Sequence, residues 1–253
     1  MNTRAEETVW AITVTYNEAD SLPELAAGIT ALGAENGGPL ARAPKLLVVD
    51  DNSPDGTGAL ADRLAAEAPE AFAALHRPAK MGYASAHQLG IGYALDHGAR
   101  TIVTMDADLS HDPERIPDML AKLTEADVVV GSRYVEGGGT VNWDTDRKVI
   151  SRTAGTLVRL ASGMRVADPT GGFRAYRAPI LHAAKFRQIS QQGYSFLSEL
   201  LFRCSRAGGE IAEVPITFVD RRFGKSKLSN RIILEAVGHL FTMGWRRITG
   251  WRP

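Results

Sequence analysis

The chain has 253 residues, 44% hydrophobic and 23% charged, enough for one large folded domain and unlike a disordered or fibrous protein. Lys+Arg and Asp+Glu both total 29, so bulk charge gives no reason to expect a nucleic-acid partner. The distribution is uneven: Arg221 to Pro253 carries eight Lys/Arg and one acid, leaving 21 basic and 28 acidic groups elsewhere. The single cysteine, Cys204, follows Leu200, Leu201 and Phe202 and reads as a buried structural thiol in a reducing cytosol. The start MNTRAEETVW has no apolar signal core, and no 18-residue apolar window is present to span a bilayer.

Short β-branched runs alternate with helical patterns through the first 130 residues. Val9 to Val14 is a strand, and a helix opens at Ser21 with Glu24 as a capping box. Lys45 to Val49 is a strand followed by a helix over Thr57 to Ala66. Phe72 to Leu75 is a third, short strand, and Tyr83 to His97 a helix closed by Gly98. Strands at Thr101 to Met105 and Asp127 to Val130 flank a helix over Pro113 to Leu123. The pattern predicts an α/β fold with a mainly parallel sheet covered on both faces. Gly137-Gly138-Gly139 reads as the most mobile loop, Ser151 to Met164 as a helix, and Ile211 to Val219 as a strand.

Ligands of such sheets bind at the carboxyl ends of the strands. Tyr16-Asn17-Glu18, Asp50-Asp51-Asn52-Ser53, Asp106-Ala107-Asp108 and Gly131-Ser132-Arg133 each follow a predicted strand. Asp106 and Asp108, one residue apart, suit a hard cation such as Mg²⁺ or Mn²⁺ completed by phosphate oxygens. The bland alternative is a solvated turn capping the helix that begins near Asp112-Pro113. Asp51, Ser53, Asp55 and Gly56 loosely match an EF-hand loop, but a strand rather than a helix precedes them. Asp51 is better read as an acceptor for base or ribose hydrogen bonds. The segment RRFGKSKLS holds Arg221 and Lys227 in a loop able to close on a diphosphate. It is no Walker motif, since Val219 stands where the first glycine would be.

Seven blocks together carry a family resemblance: TYNEADSL (15–22), VVDDNSPDGT (48–57), KMGYASA (80–86), MDADLSHDPE (105–114), GSRYVEGG (131–138), DPTGGFRAY (168–176) and EVPITFVDRRFGKSKLS (213–229). In this order the chain resembles family-2 glycosyltransferases, specifically the dolichol- or polyprenol-phosphate mannose synthases. The resemblance implies a GT-A fold, a GDP-mannose donor, a polyprenyl-phosphate acceptor and inversion at the sugar. It implies that Tyr16, Glu18, Val49 and Asp51 line the nucleoside pocket. Asp106, Ala107 and Asp108 would hold metal and diphosphate. Arg133, Arg221 and Lys227 would contact phosphates, with Arg147 and Ser151 joining Arg133 around the acceptor phosphate. Two residues depart from the pattern: Val14 stands where the family often has Pro, and Ser110 where some members use Gln as a third metal ligand. Glu199, in YSFLSE, is a candidate for positioning substrate. The resemblance leaves open a different donor such as UDP-glucose, or a non-catalytic nucleotide-sugar-binding module.

Residues 1–229 then form the catalytic domain and 230–253 an amphipathic segment. Its helix, 230–248, sets Ile233, Val237, Leu240, Phe241 and Ile248 near one face, with Trp245 and Trp251 beside Arg246, Arg247 and Arg252. That mixture suits a membrane-interface anchor, and equally a helix packed on the domain or on a membrane-protein partner. The expected location is peripheral, on the cytoplasmic face of a membrane.

Overall fold

The computed structural model describes residues 8–191, 193, 195–220 and 230–253, with backbone alone for 230–236. Nine strands lie in it: β1 (Val9–Thr15), β2 (Lys45–Asp50), β3 (Phe72–His76), β4 (Thr101–Asp106), β5 (Val128–Ser132), β6 (Gly139–Val141), β7 (Arg174–Arg177), β8 (Ile211–Pro215) and β9 (Thr217–Val219). The helices are α1 (Leu22–Thr30), α2 (Thr57–Glu67), α3 (Tyr83–Asp96), α4 (Ile116–Lys122), α5 (Thr145–Ser162), α6 (Ala178–Ala183), α7 (Ser195–Arg206) and α8 (Asn230–Ile248).

Seven strands form one sheet in the order β3-β2-β1-β4-β7-β5-β8, and β6 pairs with β9 in a second, two-stranded sheet. All neighbours in the large sheet are parallel except β7, which runs antiparallel to both β4 and β5. The mainly parallel sheet expected from the sequence is therefore present, with β7 as an added element. Its sequence, RAYR, carries arginines at both ends and conceals its strand character.

The period-2 alternation explains the layers. On β1 and β2, Trp10, Ile12, Leu47 and Val49 join one core cluster, whereas Ala11, Leu46 and Val48 join the other. The first cluster lies under α3, α6 and α7; the second lies under α1 and α4. On α1, Leu22, Leu25, Ala26 and Ile29 recur at helical spacing and are all buried. Gly90 lets α3 lie close on the sheet, because a Cβ there would sit 2.8 Å from the Ile12 Cγ2 and 2.9 Å from the Val49 Cγ2.

Some local expectations change. Ser21 does sit at the start of α1, but makes no capping bond; its hydroxyl donates to Glu18 Oε2 at 2.9 Å. Its backbone is helical (φ −94°, ψ −28°) rather than in the extended conformation an N-cap takes. The segment 113–123 is a 3-10 turn at Pro113–Arg115 leading into α4. The Gly-rich stretch is not simply a loop: Gly139 opens β6 and pairs in register with Thr217. The 211–219 run breaks after Pro215, where the Ile216 N–H bonds to Ser132 O and the chain crosses to the small sheet. Helix α5 starts at Thr145, six residues before the expected Ser151.

Candidate active site

The strand order reverses direction beside β1. Strands β2 and β3 build outward on one side, and β4 begins the other. This switch point opens a crevice at the carboxyl ends of the strands, and it is where ligands of open α/β sheets bind. Val14 is in register with Asp106 and Thr15 with Asp50, so the ends of β2, β1 and β4 bring Asp51, Tyr16 and Asp106 to one rim.

At β4, Asp106 ends the strand with its side chain 28% exposed. Tyr83, from the first turn of α3, donates to Asp106 Oδ1 at 3.5 Å. His111 returns beneath the motif, where its Nδ1 accepts the Asp106 backbone N–H at 3.0 Å. Accepting at Nδ1 requires a neutral ring protonated at Nε2. Burial, opposed by the charges of Asp106 and Asp108, holds the His111 pKa below its ordinary value. Asp108 Oδ1 accepts the Ser110 N–H at 3.1 Å across Leu109, whose φ of 63° makes the hairpin-like return. Ala107 is buried beneath the two carboxylates.

Two carboxylates at a strand end match the donor set that Mg²⁺ or Mn²⁺ takes when substrate phosphates complete its shell. The buried Ser110 hydroxyl has no hydrogen-bond partner among the described residues. That vacant acceptor and donor capacity, beside Asp108, fits a hydrated cation better than a closed turn does. Among the described residues, no three His, Cys, Asp or Glu side chains are grouped to enclose a metal by themselves.

On the β1–β2 side, Asp51 is buried and already heavily engaged. Its Oδ1 accepts from Arg77 Nη1 at 2.7 Å and Met81 N at 2.9 Å, and its Oδ2 from Gly82 N at 2.8 Å. A base or ribose contact there would use what acceptor capacity Oδ2 retains. The carboxylate thus pins the 77–82 segment, which places the Lys80 ammonium 3.4 Å over the Tyr16 ring. The Glu18 carboxylate accepts from the Ser21 hydroxyl, and its backbone N–H donates to Thr57 Oγ1. Val49 is fully buried against Gly90 and offers the crevice no side-chain surface.

On the β5 side, Arg133 and Asp168 form a buried bidentate pair, Nε to Oδ2 at 2.6 Å and Nη2 to Oδ1 at 2.7 Å. The Asp168 carboxyl is pushed up by burial, but the Arg133 hydrogen bonds and charge outweigh this and hold it below the usual carboxylate range. Arg133 also feels the charge of Asp106, which places the two on one electrostatic neighbourhood. Beside it, Tyr134 donates to Ser151 Oγ at 2.7 Å. Arg147, one turn earlier on α5, lies 4.2 Å over the Trp143 ring and bonds Asp220 Oδ1 at 2.5 Å. Arg133, Arg147 and Ser151 are thus gathered on one side of the crevice. Arg221 and Lys227 lie outside the described residues. The chain reaches Asp220 beside the motif, with Val219 N bonded to Ser110 O at 3.4 Å.

Several contributors carried no expectation from the sequence. Tyr83 and Asp168 stand in blocks that carry the family resemblance, but nothing in spacing alone links them to Asp106 and Arg133. Gly172 is a close-approach position: a Cβ there would lie 3.2 Å from the Tyr83 hydroxyl and 3.7 Å from Asp106 Oδ1. Arg174 is fully buried, donating to Pro169 O at 2.7 Å and to Leu197 O. Glu199 is fully buried and bonded to Arg203 and Arg246, each at 2.7 Å, joining α7 to α8 rather than facing the crevice.

An open α/β sheet with an Asp-Ala-Asp pair at its switch point defines a scaffold of the nucleotide-sugar-binding class. Residues 10–183 match the Glycosyl transferase family 2 model. The chain is 43% identical over 236 residues to the undecaprenyl-phosphate mannosyltransferase of Micrococcus luteus, covering 93% of both. It is 38% identical over 244 residues to the polyprenol monophosphomannose synthase of Mycolicibacterium smegmatis, covering 96% of this chain and 89% of that one. Glucosyl-3-phosphoglycerate synthase from Mycobacterium tuberculosis with phosphoglyceric acid superposes with a TM-score of 0.66 at 17% identity, over 93% of this chain and 81% of the other. The same enzyme with Mn²⁺ and UDP-glucose gives 0.66 at 16%, over 95% and 80%. The chain belongs to glycosyltransferase family 2, it is an enzyme of that family, and its fold is GT-A.

Proposed function

We propose that the chain moves mannose from GDP-mannose to a polyprenyl phosphate, with inversion, giving a polyprenyl β-mannosyl phosphate. The observation that carries this reading is one rim shared by Asp106-Ala107-Asp108 and the Arg133, Arg147, Ser151 group, in a chain 43% identical to a named mannosyltransferase over 93% of its length.

The acceptor needs no strong protein base, since a phosphate monoester with a second pKa near 6 is largely ionised at neutral pH. What the protein must supply is alignment and compensation for two anions brought together. Ser151, oriented by Tyr134, and Arg147, stacked on Trp143, are placed to hold the acceptor phosphate. Arg133, already paired with Asp168, adds positive potential more than a free hand. Tyr83 and His111 hold Asp106 in place from its side chain and its backbone. A bound Mg²⁺ or Mn²⁺, held by Asp106 and Asp108, would offset diphosphate charge and polarise the leaving group. Arg221 and Lys227 would complete that compensation, and Tyr16, Glu18 and Asp51 would frame the nucleoside, with Val49 contributing its backbone alone.

The lipid substrate calls for a membrane-facing surface, and 230–253 with α5 is the segment we assign to it. On α5, Val149, Ile150, Leu157 and Leu160 are exposed and fall within an arc of about 100° at 3.6 residues per turn. On α8, Val237, Phe241, Trp245 and Ile248 are exposed within about 80°, with Phe241 at 78% and Ile248 at 81%. The two helices pack together. Such a patch suits an interface with lipid. No helix among the described residues is long and apolar enough to cross a membrane. Trp251 has another role, stacking on Phe202 and lying under Arg203 and Arg246. This supports peripheral attachment, which we place at the cytoplasmic leaflet.

The test is a donor panel with a short polyprenyl phosphate and Mn²⁺ or Mg²⁺. Transfer from GDP-mannose, abolished in Asp108→Ala, is expected. Transfer from UDP-glucose alone would replace the donor assignment, and unchanged turnover in Asp108→Ala would overturn the metal-assisted reading.

A further inference from the structure

An open cavity of about 510 Å³ lies at the C-terminal end of α5, away from the crevice at the strand ends. Its lining combines Arg159 and Arg165 with the apolar Leu160, Met164 and Val166. The one acid in it, Glu213, already accepts the backbone N–H groups of Ala167 at 2.7 Å and Asp168 at 3.0 Å. A third guanidinium reaches the same helix end: Arg247 of α8 donates to Leu160 O at 2.8 Å and lies against Gly163. Leu160, 68% exposed, belongs both to this cavity and to the apolar stripe of α5.

We propose that this cavity is a subsite for the phosphate of an anionic phospholipid headgroup, separate from the acceptor site. The inference rests on α5 and α8 facing the membrane. Guanidiniums suit a phosphodiester because their planar fork bonds two oxygens at once. Their position at the border of an apolar stripe sets them at headgroup depth when that stripe enters the interface. With Arg159, Arg165 and Arg247 against Glu213, the group keeps a net positive charge that a lipid of net negative charge offsets and a zwitterionic one does not. The ordinary role of such a site is to fix the rotation of α5 about its own axis, which carries Arg147 and Ser151 with it.

Binding of the full chain to phosphatidylcholine vesicles with and without phosphatidylglycerol tests this, with soluble glycerol phosphate as a competitor. Arg165→Gln and Arg159→Gln are each expected to weaken binding to the phosphatidylglycerol vesicles roughly fivefold, in line with the value of one basic residue at an anionic surface. Binding to pure phosphatidylcholine should be unchanged, as should both lipids with Arg63→Gln, which removes a charge from α2. Equal binding of parent and both variants, or equal losses on the two vesicle types, overturns the proposal. Competition by glycerol phosphate at concentrations matching the vesicle headgroups assigns the site to a free phosphate and overturns the lipid assignment. Transfer to a short, soluble polyprenyl phosphate without vesicles should be unaffected by Arg165→Gln. Failure of the parent in that assay would reject the transferase reading while the vesicle comparison still decides the headgroup site.

Discussion

Asp168→Asn isolates the buried ion pair that organises one wall of the site. In the parent, a carboxylate with no exposure receives three hydrogen bonds from Arg133: its backbone N–H at 3.1 Å, Nε at 2.6 Å and Nη2 at 2.7 Å. The Arg133 side chain is 9% exposed, so little water replaces a lost partner. Removing one member of such a pair costs about 3–5 kcal/mol. Asparagine still accepts at one oxygen, which argues for the lower end. For a chain of this size, about 3 kcal/mol corresponds to roughly 6–12 °C in Tm. The assay is urea and thermal unfolding of Asp168→Asn, Arg133→Met and the double variant. The double variant should be less destabilised than the two single effects added, with a coupling of about 2 kcal/mol. Because the Asp168 pKa is depressed, its stabilisation is complete above the unfolded value near 4 and is lost as pH falls through the folded one. The deficit of the asparagine variant should therefore be constant from pH 5 to pH 8. A deficit under about 1 kcal/mol, or strict additivity, would refute the claim that this pair is a buried, mutually dependent unit.

Glu199→Gln should release α8 from α7 by about 3 kcal/mol, so that α8 amides exchange roughly a hundredfold faster while those of β1 and β4 do not change. Hydrogen exchange followed by mass spectrometry reads this, and uniform exchange across the chain would refute a local clamp. Burial pushes the Cys204 thiol up to about 12, so the native protein should resist thiol reagents at pH 8 and react once denatured. His111 should be neutral at pH 7 with its proton on Nε2, as read by ¹⁵N NMR of the ring. Its folded pKa is depressed, so its contribution to stability is present above the unfolded value near 6.5 and declines as pH falls below it. Gly172→Ala should leave the fold intact but displace the Tyr83 hydroxyl, lowering transfer about tenfold through loss of its hydrogen bond to Asp106.

The sheet was legible because β-branched runs and helical spacing alternate cleanly from Val9 to Val130, and the rim followed because polar clusters stand after each run. The elements that escaped are those whose character is tertiary. Strand β7 has four residues with arginine at each end, and only its place between β4 and β5 makes it a strand. Strands β6 and β9 are three residues each and exist through pairing with one another. Asp106, Asp108 and Arg133 stand in polar clusters that follow strands, whereas Arg147 and Ser151 enter only through the family resemblance. Their supports were not legible, because Tyr83, His111, Asp168 and Gly172 act across long sequence separations or through a backbone N–H that no spacing rule shows. Val49 is the instructive exception. It sits at a motif position, yet its side chain belongs to the core under α3.

The rim carries more acid than any single cation needs, and the structure divides that acid by what each carboxylate faces. Asp50 accepts Ser53 N–H and both the Thr15 and Ser53 hydroxyls. Asp51 accepts Arg77 and the 81–82 backbone, Asp55 accepts Thr57 and the Ala19 N–H, and Asp168 accepts Arg133. These four face fixed donors, which hold the loops that form the crevice. Asp106 instead ends β4 with its side chain 28% exposed and Tyr83 donating to its Oδ1 at 3.5 Å, and Asp108 Oδ1 accepts the Ser110 N–H at 3.1 Å. A divalent ion held by such a pair would offset the charge that a diphosphate brings to the rim. The same Asp-x-Asp spacing placed at the end of β2 would be met by Arg77 and become another structural clamp. What sets Asp106-Ala107-Asp108 apart is therefore its place at the end of β4, beside the switch point of the sheet, not the spacing alone.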